Sequence, residues 1–490
     1  MQDYFLKYRN GIIGINTKIP KPDGGEHAIV YSDWTASGRC FAPIEERLQH
    51  EIMPLVANTH TETSTTGMAM TYAYHQARTI IKKHVNATNN DIIITSGSGM
   101  TGVVNKFQRI LGFRQSTLLN DSINEEERPV VFISHMEHHS NQTSWLETIA
   151  TVEIIEPNEE GLICLTHLSE LIQKYAHRKI KIASITACSN VTGIQTPYHE
   201  IAKIMHEAKG LIFVDFACSA PYVNINMHPE NQEEKLDAIF FSPHKFLGGP
   251  GTTGVLIFDK KLYKNDVPDD SGGGTVDWTN PWGQHKYIDD IEAREDGGTP
   301  PFLQTIKTAM CVSLKEQMGV KNILEREHEV LNILWNKIEH IPNLHILAPK
   351  HKNRLAIMSF YIEDMHYNLG VRILSDKFGI QARGGCSCAG TYGHYLLNVD
   401  QSQSQKITDL INLGDFSNKP GWIRVSLHPT MTNEEVEFIG NSIQELAKNF
   451  KEWGAGYDFI PCQNSLTLTD RNADEKIKHA MDEALTKSFV

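Results

Sequence analysis

Between about residues 90 and 260 the chain repeats one pattern, a short apolar and mostly β-branched run closed by a polar or glycine-rich step. The runs lie at 91–95 (DIIIT), 130–134 (VVFIS), 181–186 (KIASIT), 211–215 (LIFVD), 237–241 (DAIFF) and 254–258 (GVLIF). Continuous rather than alternating hydrophobicity is what a strand buried on both faces requires. Between several runs lie segments of helical period, such as Leu168, Leu171, Ile172 and Tyr175, or Ile201, Ile204, Met205 and Ala208. Strands alternating with helices predict an α/β fold whose large domain, residues 29–320, is a mostly parallel sheet flanked by helices. Before it come an N-terminal segment, 1–28, and, within the domain, a helix over 63–84. That helix sets Met68, Tyr72, Gln76 and Ile80 on one stripe, expected to pack on the sheet or on a partner subunit, with core packing favoured.

Beyond residue 320 the texture changes to helix (320–338), strand (355–361), helix (369–378), strand (422–427) and a helix opened by the capping box Thr432-x-x-Glu435. This predicts a second, smaller α/β domain over 321–455, followed by an extension, 456–490, with no place in either domain. Residues 264–301, with Gly272 to Gly274 and Pro300-Pro301, form a loop long enough for function or subunit contact.

Lys plus Arg number 46 against 59 Asp plus Glu, a formal charge of −13, which gives no uniform basic surface for nucleic acid. No uncharged apolar run approaches the roughly 18 residues of a membrane span, and the first ten residues lack a secretory core, so a cytoplasmic protein is expected. Eight cysteines in 490 residues are too sparse for a disulfide scaffold; only Cys386 and Cys388 lie close together.

In open parallel sheets ligands bind outside the carboxyl ends of the strands. The residues there are polar: Ser96-Gly97-Ser98-Gly99-Met100-Thr101, His135-Met136-Glu137-His138-His139, Cys188-Ser189-Asn190, Asp215-Phe216-Ala217-Cys218 and Ser242-Pro243-His244-Lys245. Gly97-x-Gly99-x-x-Gly102 fits a dinucleotide turn, but the acidic ribose partner expected at the end of the next strand is missing, and Asp121 sits in a polar loop. What remains is an anion site for one phosphate at a helix N-terminus, with the Thr101 hydroxyl beside it. A lysine at a buried strand end is costly unless used, and desolvation lowers its pKa as a Schiff-base lysine requires. Asp215, thirty residues before Lys245, supplies the carboxylate that keeps a pyridine nitrogen protonated. A metal site from His135, His138 and His139 lacks an accompanying carboxylate or thiolate set, so no metal is expected.

At these residues the chain resembles the class V aminotransferase superfamily of pyridoxal 5′-phosphate enzymes, fold type I, and within it the cysteine desulfurase and selenocysteine lyase branch, from about residue 29 to 450. The resemblance implies that Lys245 forms the Schiff base, Asp215 pairs the pyridine nitrogen and His138 stacks on the ring. It implies that Asn190 faces the phenolic oxygen or substrate, and that Gly99, Met100, Thr101, Ser242 and His244 hold the phosphate. Gly298-Thr299-Pro300 matches a segment that reaches in from the other subunit, implying a homodimer with Thr299 at the partner's phosphate. Cys218 stands where the family's desulfurases usually carry glutamine, so a hydrogen bond to the phenolic oxygen is lost or supplied otherwise. His60, in Asn58-Thr59-His60-Thr61, resembles a segment near the substrate.

In the second domain, glycines flank Arg383-Gly384-Gly385-Cys386-Ser387-Cys388-Ala389-Gly390, which suggests a mobile loop. The family's attacking cysteine follows an arginine by five residues, as Cys388 follows Arg383; Cys386 falls where histidine is commoner. Arg424, inside the apolar run 422–427, needs an anionic partner, either a substrate carboxylate or a structural Asp or Glu. The resemblance implies a cysteine desulfurase-like enzyme acting on an α-amino acid and passing sulfur to an acceptor protein. An aminotransferase, epimerase or other lyase that leaves Cys388 unused, and an inert binding protein of the same fold, are the alternatives.

Overall fold

The computed structural model describes residues 1–114, 123–468 and 472–489, so Asp121 and residues 469–471 lie outside the described residues. Its centre is a seven-stranded sheet of β1 (Asp91–Ser96), β2 (Val130–Ser134), β3 (Thr151–Ile155), β4 (Lys181–Thr186), β5 (Leu211–Asp215), β6 (Ala238–Phe241) and β7 (Gly254–Asp259), in the order β1-β7-β6-β5-β4-β2-β3. Strands β2 to β6 are parallel; β7 runs antiparallel to both β6 and β1. Because β7 reverses twice, β1 again points the way β6 does, and its carboxyl end opens on the same edge. Each apolar run divides its side chains between two cores, with Ile93, Phe132, Ile185, Val214 and Ile257 on one face and Ile94, Val131, Ile182, Phe213 and Leu256 on the other. This is the period-2 alternation of a sheet covered on both sides. The seventh strand, β3, has no continuous apolar run. It lies at one of the sheet's two edges, opposite β1, with Glu153 partly exposed and only Ile155 fully buried.

A second, antiparallel sheet is built from β8 (Leu344–Ile346), β9 (Ile357–Ile362), β10 (Arg383–Gly385) and β11 (Trp422–Ser426), in the order β8-β9-β11-β10. The helix Asn433–Gly454 that packs with it starts at Thr432, where both hydrogen bonds of the capping box form. A short parallel pairing of Val30–Tyr31 with Ile380–Gln381 fastens the N-terminal stretch to this unit and carries Asp33 and Thr35 toward the large sheet's open edge. The first helix, Gln2–Arg9, is clamped by Arg9 on Glu435, with contacts of 2.6 and 2.8 Å.

The helix Thr65–His84 turns the opposite face to the core from the one its apolar stripe suggests. Met70, Tyr74, Ala77, Arg78 and Ile81 are buried, while Met68 and Tyr72 are 47% and 63% exposed. The reason is a buried ion pair: Arg78 lies 2.6 Å from Asp296, and the Tyr74 hydroxyl donates to the same carboxylate at 3.1 Å. The long loop 264–301 contains a hairpin, Val276–Thr279 with His285–Tyr287, whose turn holds Trp282 outward at 82% exposure. The C-terminal extension forms a second hairpin, Tyr457–Ile460 with Ser465–Leu468, whose Asn464 hydrogen-bonds Tyr367 and Asn368, and a helix, Asn472–Thr486.

Candidate active site

Where the large sheet's carboxyl edge meets the second sheet, a cavity of about 190 Å³ collects Met100, Thr101, His138, Asn190, Asp215, Cys218, Ser242, His244, Lys245, Arg383, Cys388 and Arg424. Twelve of the residues singled out from the sequence thus line one space.

At one end β1 runs into the helix Met100–Ile110 through Gly97, whose φ of +59° is the left-handed turn that glycine makes cheaply. The Met100 N–H donates to Ser242 Oγ at 2.8 Å, and the Thr101 hydroxyl lies 2.6 Å from that of Ser140. At Gly99 a Cβ would sit 3.1 Å from Ser242 Oγ and 3.5 Å from the His244 ring, so a side chain there would crowd the gap. Hydroxyls, an imidazole and the N-terminus of a helix around one gap make an anion cradle. Ser140 was not singled out from the sequence; its place two residues after His138 was the available signal.

In the middle, Asp215 closes β5 and its Oδ1 accepts the Ala217 N–H at 2.8 Å. Burial pushes its pKa up to about 6. Lys245 sits in the short turn Pro243–Lys245 directly after β6, and burial lowers its pKa against the opposing pull of Cys218 and Asp215. His138 accepts the Ser140 N–H on Nδ1 at 3.1 Å, which puts the proton of the neutral ring on Nε2. Burial, then the Lys245 charge, brings its pKa down to about 3, so the ring is neutral near pH 7. The neighbouring Glu137, also unrecognised in the sequence, accepts from the Ser134 hydroxyl (2.5 Å), Asn141 (2.8 Å) and the Thr186 N–H (2.9 Å), bracing the ends of β2 and β4 against each other.

At the far end Arg424 has its anion: Nη2 lies 2.8 Å from Asp33 Oδ1, Nη1 donates to the Asn190 carbonyl at 3.1 Å, and the buried Nε has no partner. Arg383 Nε lies 3.0 Å from the other oxygen of Asp33. One carboxylate therefore spans both guanidiniums, the structural pairing that the sequence left open, and Asp33 itself went unnoticed there. The cysteine loop is tied rather than free. Asn190 Nδ2 donates to the Ser387 carbonyl (2.7 Å), the His139 N–H to the Cys388 carbonyl (2.7 Å), and the Gly390 N–H to His139 Nε2 (2.9 Å). Ser387 and Cys388 both take left-handed backbone, with φ of +51° and +58°, which turns the Cys388 side chain out at the cavity mouth, where it is exposed. Cys386 is half-buried against the core that runs from the large sheet into the second sheet and does not line the cavity.

Two expected residues lie elsewhere. His60 packs beside Gly274 of the long loop, and Thr299 lines a separate groove with Ser96, Gly97 and Asp296. The three histidines diverge, His135 turning between Tyr392 and Tyr395, and among the described residues no cluster of His, Cys, Asp or Glu could hold a metal ion. Among the described residues no helix is long and apolar enough to cross a membrane.

The model of the aminotransferase class-V family matches residues 30–439. A probable cysteine desulfurase of Halalkalibacterium halodurans is 28% identical over 74% of this chain and 84% of its own, and one of Synechocystis is 25% identical over 87% and 93%. Among solved structures, the apo cysteine desulfurase of Thermococcus onnurineus superposes with a TM-score of 0.69 at 22% identity, covering 86% of this chain and 95% of that one. The cysteine desulfurase CsdA of Escherichia coli gives 0.68 at 19%, covering 91% and 98%. The family's cofactor is pyridoxal 5′-phosphate, and the cavity fits it: an anion cradle at one end, a buried carboxyl and a lysine in the middle, and Asn190 Oδ1 buried without a partner. With this match over most of its length and these residues gathered in one cavity, the chain belongs to the aminotransferase class-V family of pyridoxal 5′-phosphate enzymes.

Proposed function

We propose that the protein is a cysteine desulfurase, turning L-cysteine into L-alanine and leaving the sulfur as a persulfide on Cys388. The observation that carries this reading is an exposed thiol, Cys388, on the same cavity as Lys245, Asp215 and Arg424. An aminotransferase or epimerase has no use for a thiol there. The names of the relatives point the same way.

When bound, pyridoxal 5′-phosphate supplies the electron sink that stabilises negative charge at the amino acid's α-carbon. Thr101, Ser242 and His244, with the backbone of Gly99 and Met100, bind its phosphate, and Ser140 joins them. Asp215 would hold a proton at the ring nitrogen, His138 would stack on the ring, and Asn190 and Cys218 would flank it. The free Lys245 amine takes the substrate's α-proton, a role its lowered pKa favours. Arg424 and Arg383 take the substrate carboxylate, sharing it with or exchanging it for Asp33. The Cys388 thiolate then attacks the substrate sulfur: the new S–S bond forms, the Cβ–S bond breaks, and its electron pair ends as a C–H bond of alanine. One cysteine and one enzyme thiol become one alanine and one enzyme persulfide, so atoms balance without an external oxidant.

A cytoplasmic homodimer that hands its sulfur to an acceptor protein completes the proposal. Ala73, Ile80, Ile306 and Met310 line a largely apolar groove of about 380 Å³, and the exposed Met68 and Tyr72 precede Ile80 on the same helical stripe, a surface suited to a second copy. Thr299 and His60, away from this chain's own cavity, are then candidates for the partner's.

The test is to give the cofactor-loaded protein L-cysteine, measure alanine and map the persulfide by mass spectrometry. Cys388→Ala is expected to lose at least ~100-fold in alanine formation while keeping the cofactor's absorption. Alanine formation at the unaltered rate would return the protein to the aminotransferase, epimerase or general-lyase readings.

A further inference from the structure

Two thiols on the cavity wall, Cys188 and Cys218, carry no bond-making or proton-transfer step in the reaction above. Thr186 of β4 and Asp215 of β5 are register partners in parallel strands, and the Ala187 N–H donates to the Asp215 carbonyl at 2.8 Å. A step beyond that last rung the two chains turn, and Cys188 and Cys218 face each other on the cavity wall. Both are buried, and both thiols donate to the one Ser189 carbonyl, at 3.7 and 3.8 Å, which brings the two sulfurs to the same point of the wall. Packing alone would be served by alanine, valine or serine at either position.

We propose that Cys188 and Cys218 are a redox modification site inside the cofactor cavity, a thiol pair that a hydroperoxide closes to a disulfide. The surroundings give the two sulfurs different parts. The neighbouring Cys188 thiol, and then the charges of Lys245 and Arg424, draw Cys218 toward the thiolate against its burial, whereas burial pushes the Cys188 thiol up. A pair of one nucleophilic thiolate and one resolving thiol is the arrangement that disulfide formation needs. The Cys218 thiolate attacks one peroxide oxygen; the O–O bond breaks, giving a sulfenic acid and hydroxide. The Cys188 thiol then attacks that sulfur, the S–O bond breaks and water leaves, while the hydroxide takes up the proton that Cys218 had released. Two thiols and one hydrogen peroxide become one disulfide and two waters; the sulfurs lose two electrons in all and the peroxide gains them.

The bridge would tie the ends of β4 and β5 together three residues after Asp215, so it alters the wall against which the ring nitrogen's partner is set. The inference needs neither turnover nor the identity of the substrate, and so it stands or falls apart from the desulfurase reading.

The experiment treats the cofactor-loaded protein with hydrogen peroxide, denatures it, blocks free thiols with iodoacetamide and maps the peptides. The expected result is a cross-linked pair of peptides carrying Cys188 and Cys218, released by dithiothreitol, together with a change in the cofactor's absorption that dithiothreitol reverses. Cys188→Ser should remove the cross-link and leave Cys218 as a sulfenic acid that dimedone traps. If Cys188 and Cys218 both remain open to iodoacetamide after the exposed Cys388 and Cys462 have been oxidised, the proposal fails. The wild-type protein alone decides that outcome, whatever the variant's stability.

Discussion

Lys245, Asp215 and His138 leave their strands within a few residues of a hydrogen-bonded ladder, whereas the loop that carries Cys388 is held to the large sheet's edge through Asn190 and His139. The first group is positioned by the core itself. Phe240, Val214 and Ile133 are buried to within about 1% exposure, so a shift of any of these strands would disrupt packing on both faces. The second group depends on a few polar contacts and two residues in left-handed backbone, each of which costs on the order of 1 kcal/mol or more. The difference teaches where each side of the cavity can be changed alone: the Lys245 side is insulated by the fold, and the Cys388 side rests on local contacts.

The sharpest way to break this comparison is Lys245→Ala. Removing the amine is expected to lower turnover by at least ~1,000-fold and to abolish the covalent link that borohydride otherwise fixes, while the cradle around Thr101 and Ser242 keeps some affinity for the cofactor. Spectroscopic titration with pyridoxal 5′-phosphate, before and after borohydride, checks both halves. Loss of all binding would mean that the cradle does not act independently of the lysine.

The same contrast governs what can be read from the chain. Strands buried on both faces must be apolar throughout, so six of the seven are visible as runs and their carboxyl ends mark the site residues in advance. The edge strand β3 is solvated and carries Glu153, which hides it. The helix Thr65–His84 is legible as a helix but not in its orientation, because an apolar stripe cannot reveal that Arg78 and Asp296 will be buried as a pair. The loop around Cys388 is legible by spacing alone. Its glycines suggest mobility, and the contacts that oppose it come from Asn190 and His139, which lie 197 and 251 residues from their partners Ser387 and Gly390. Asp33 is hidden for the same reason: a single acidic residue in a short stretch acquires meaning only when Arg383 and Arg424 arrive from the second sheet.

A smaller effect sharpens the comparison on the loop side. His139→Ala removes the acceptor of the Gly390 N–H but keeps the backbone bond to the Cys388 carbonyl. A lost hydrogen bond of this kind costs about 1 to 2 kcal/mol, so persulfide formation is expected to fall about tenfold with the cofactor's absorption unchanged. Single-turnover measurement of persulfide beside the absorption spectrum separates the two. An altered spectrum at an unaltered rate would mean that the loop's contacts serve the cofactor instead.

The smallest effect lies where the two regions meet. Glu327, in the helix Val320–Ile338, is fully buried; its Oε2 accepts the Ala356 N–H at 2.8 Å, and its Oε1 has no partner. Burial, with the Cys218 charge adding to it, pushes its pKa up to about 8 from an ordinary 4.5. The folded protein therefore keeps a proton that the unfolded chain releases. The stability that this proton contributes is fully present below about pH 4.5, declines as pH rises, and is lost above about pH 8. Glu327→Gln keeps the hydrogen bond from Ala356 and removes the titration. The wild type is thus expected to lose about 1 kcal/mol relative to this variant between about pH 7 and pH 8. Urea unfolding of both proteins across that interval measures it. Parallel curves would mean that Glu327 is ionised when folded, with its charge met by a group on the large-sheet side, and the two halves of the cavity would then be coupled more closely than their separate construction implies.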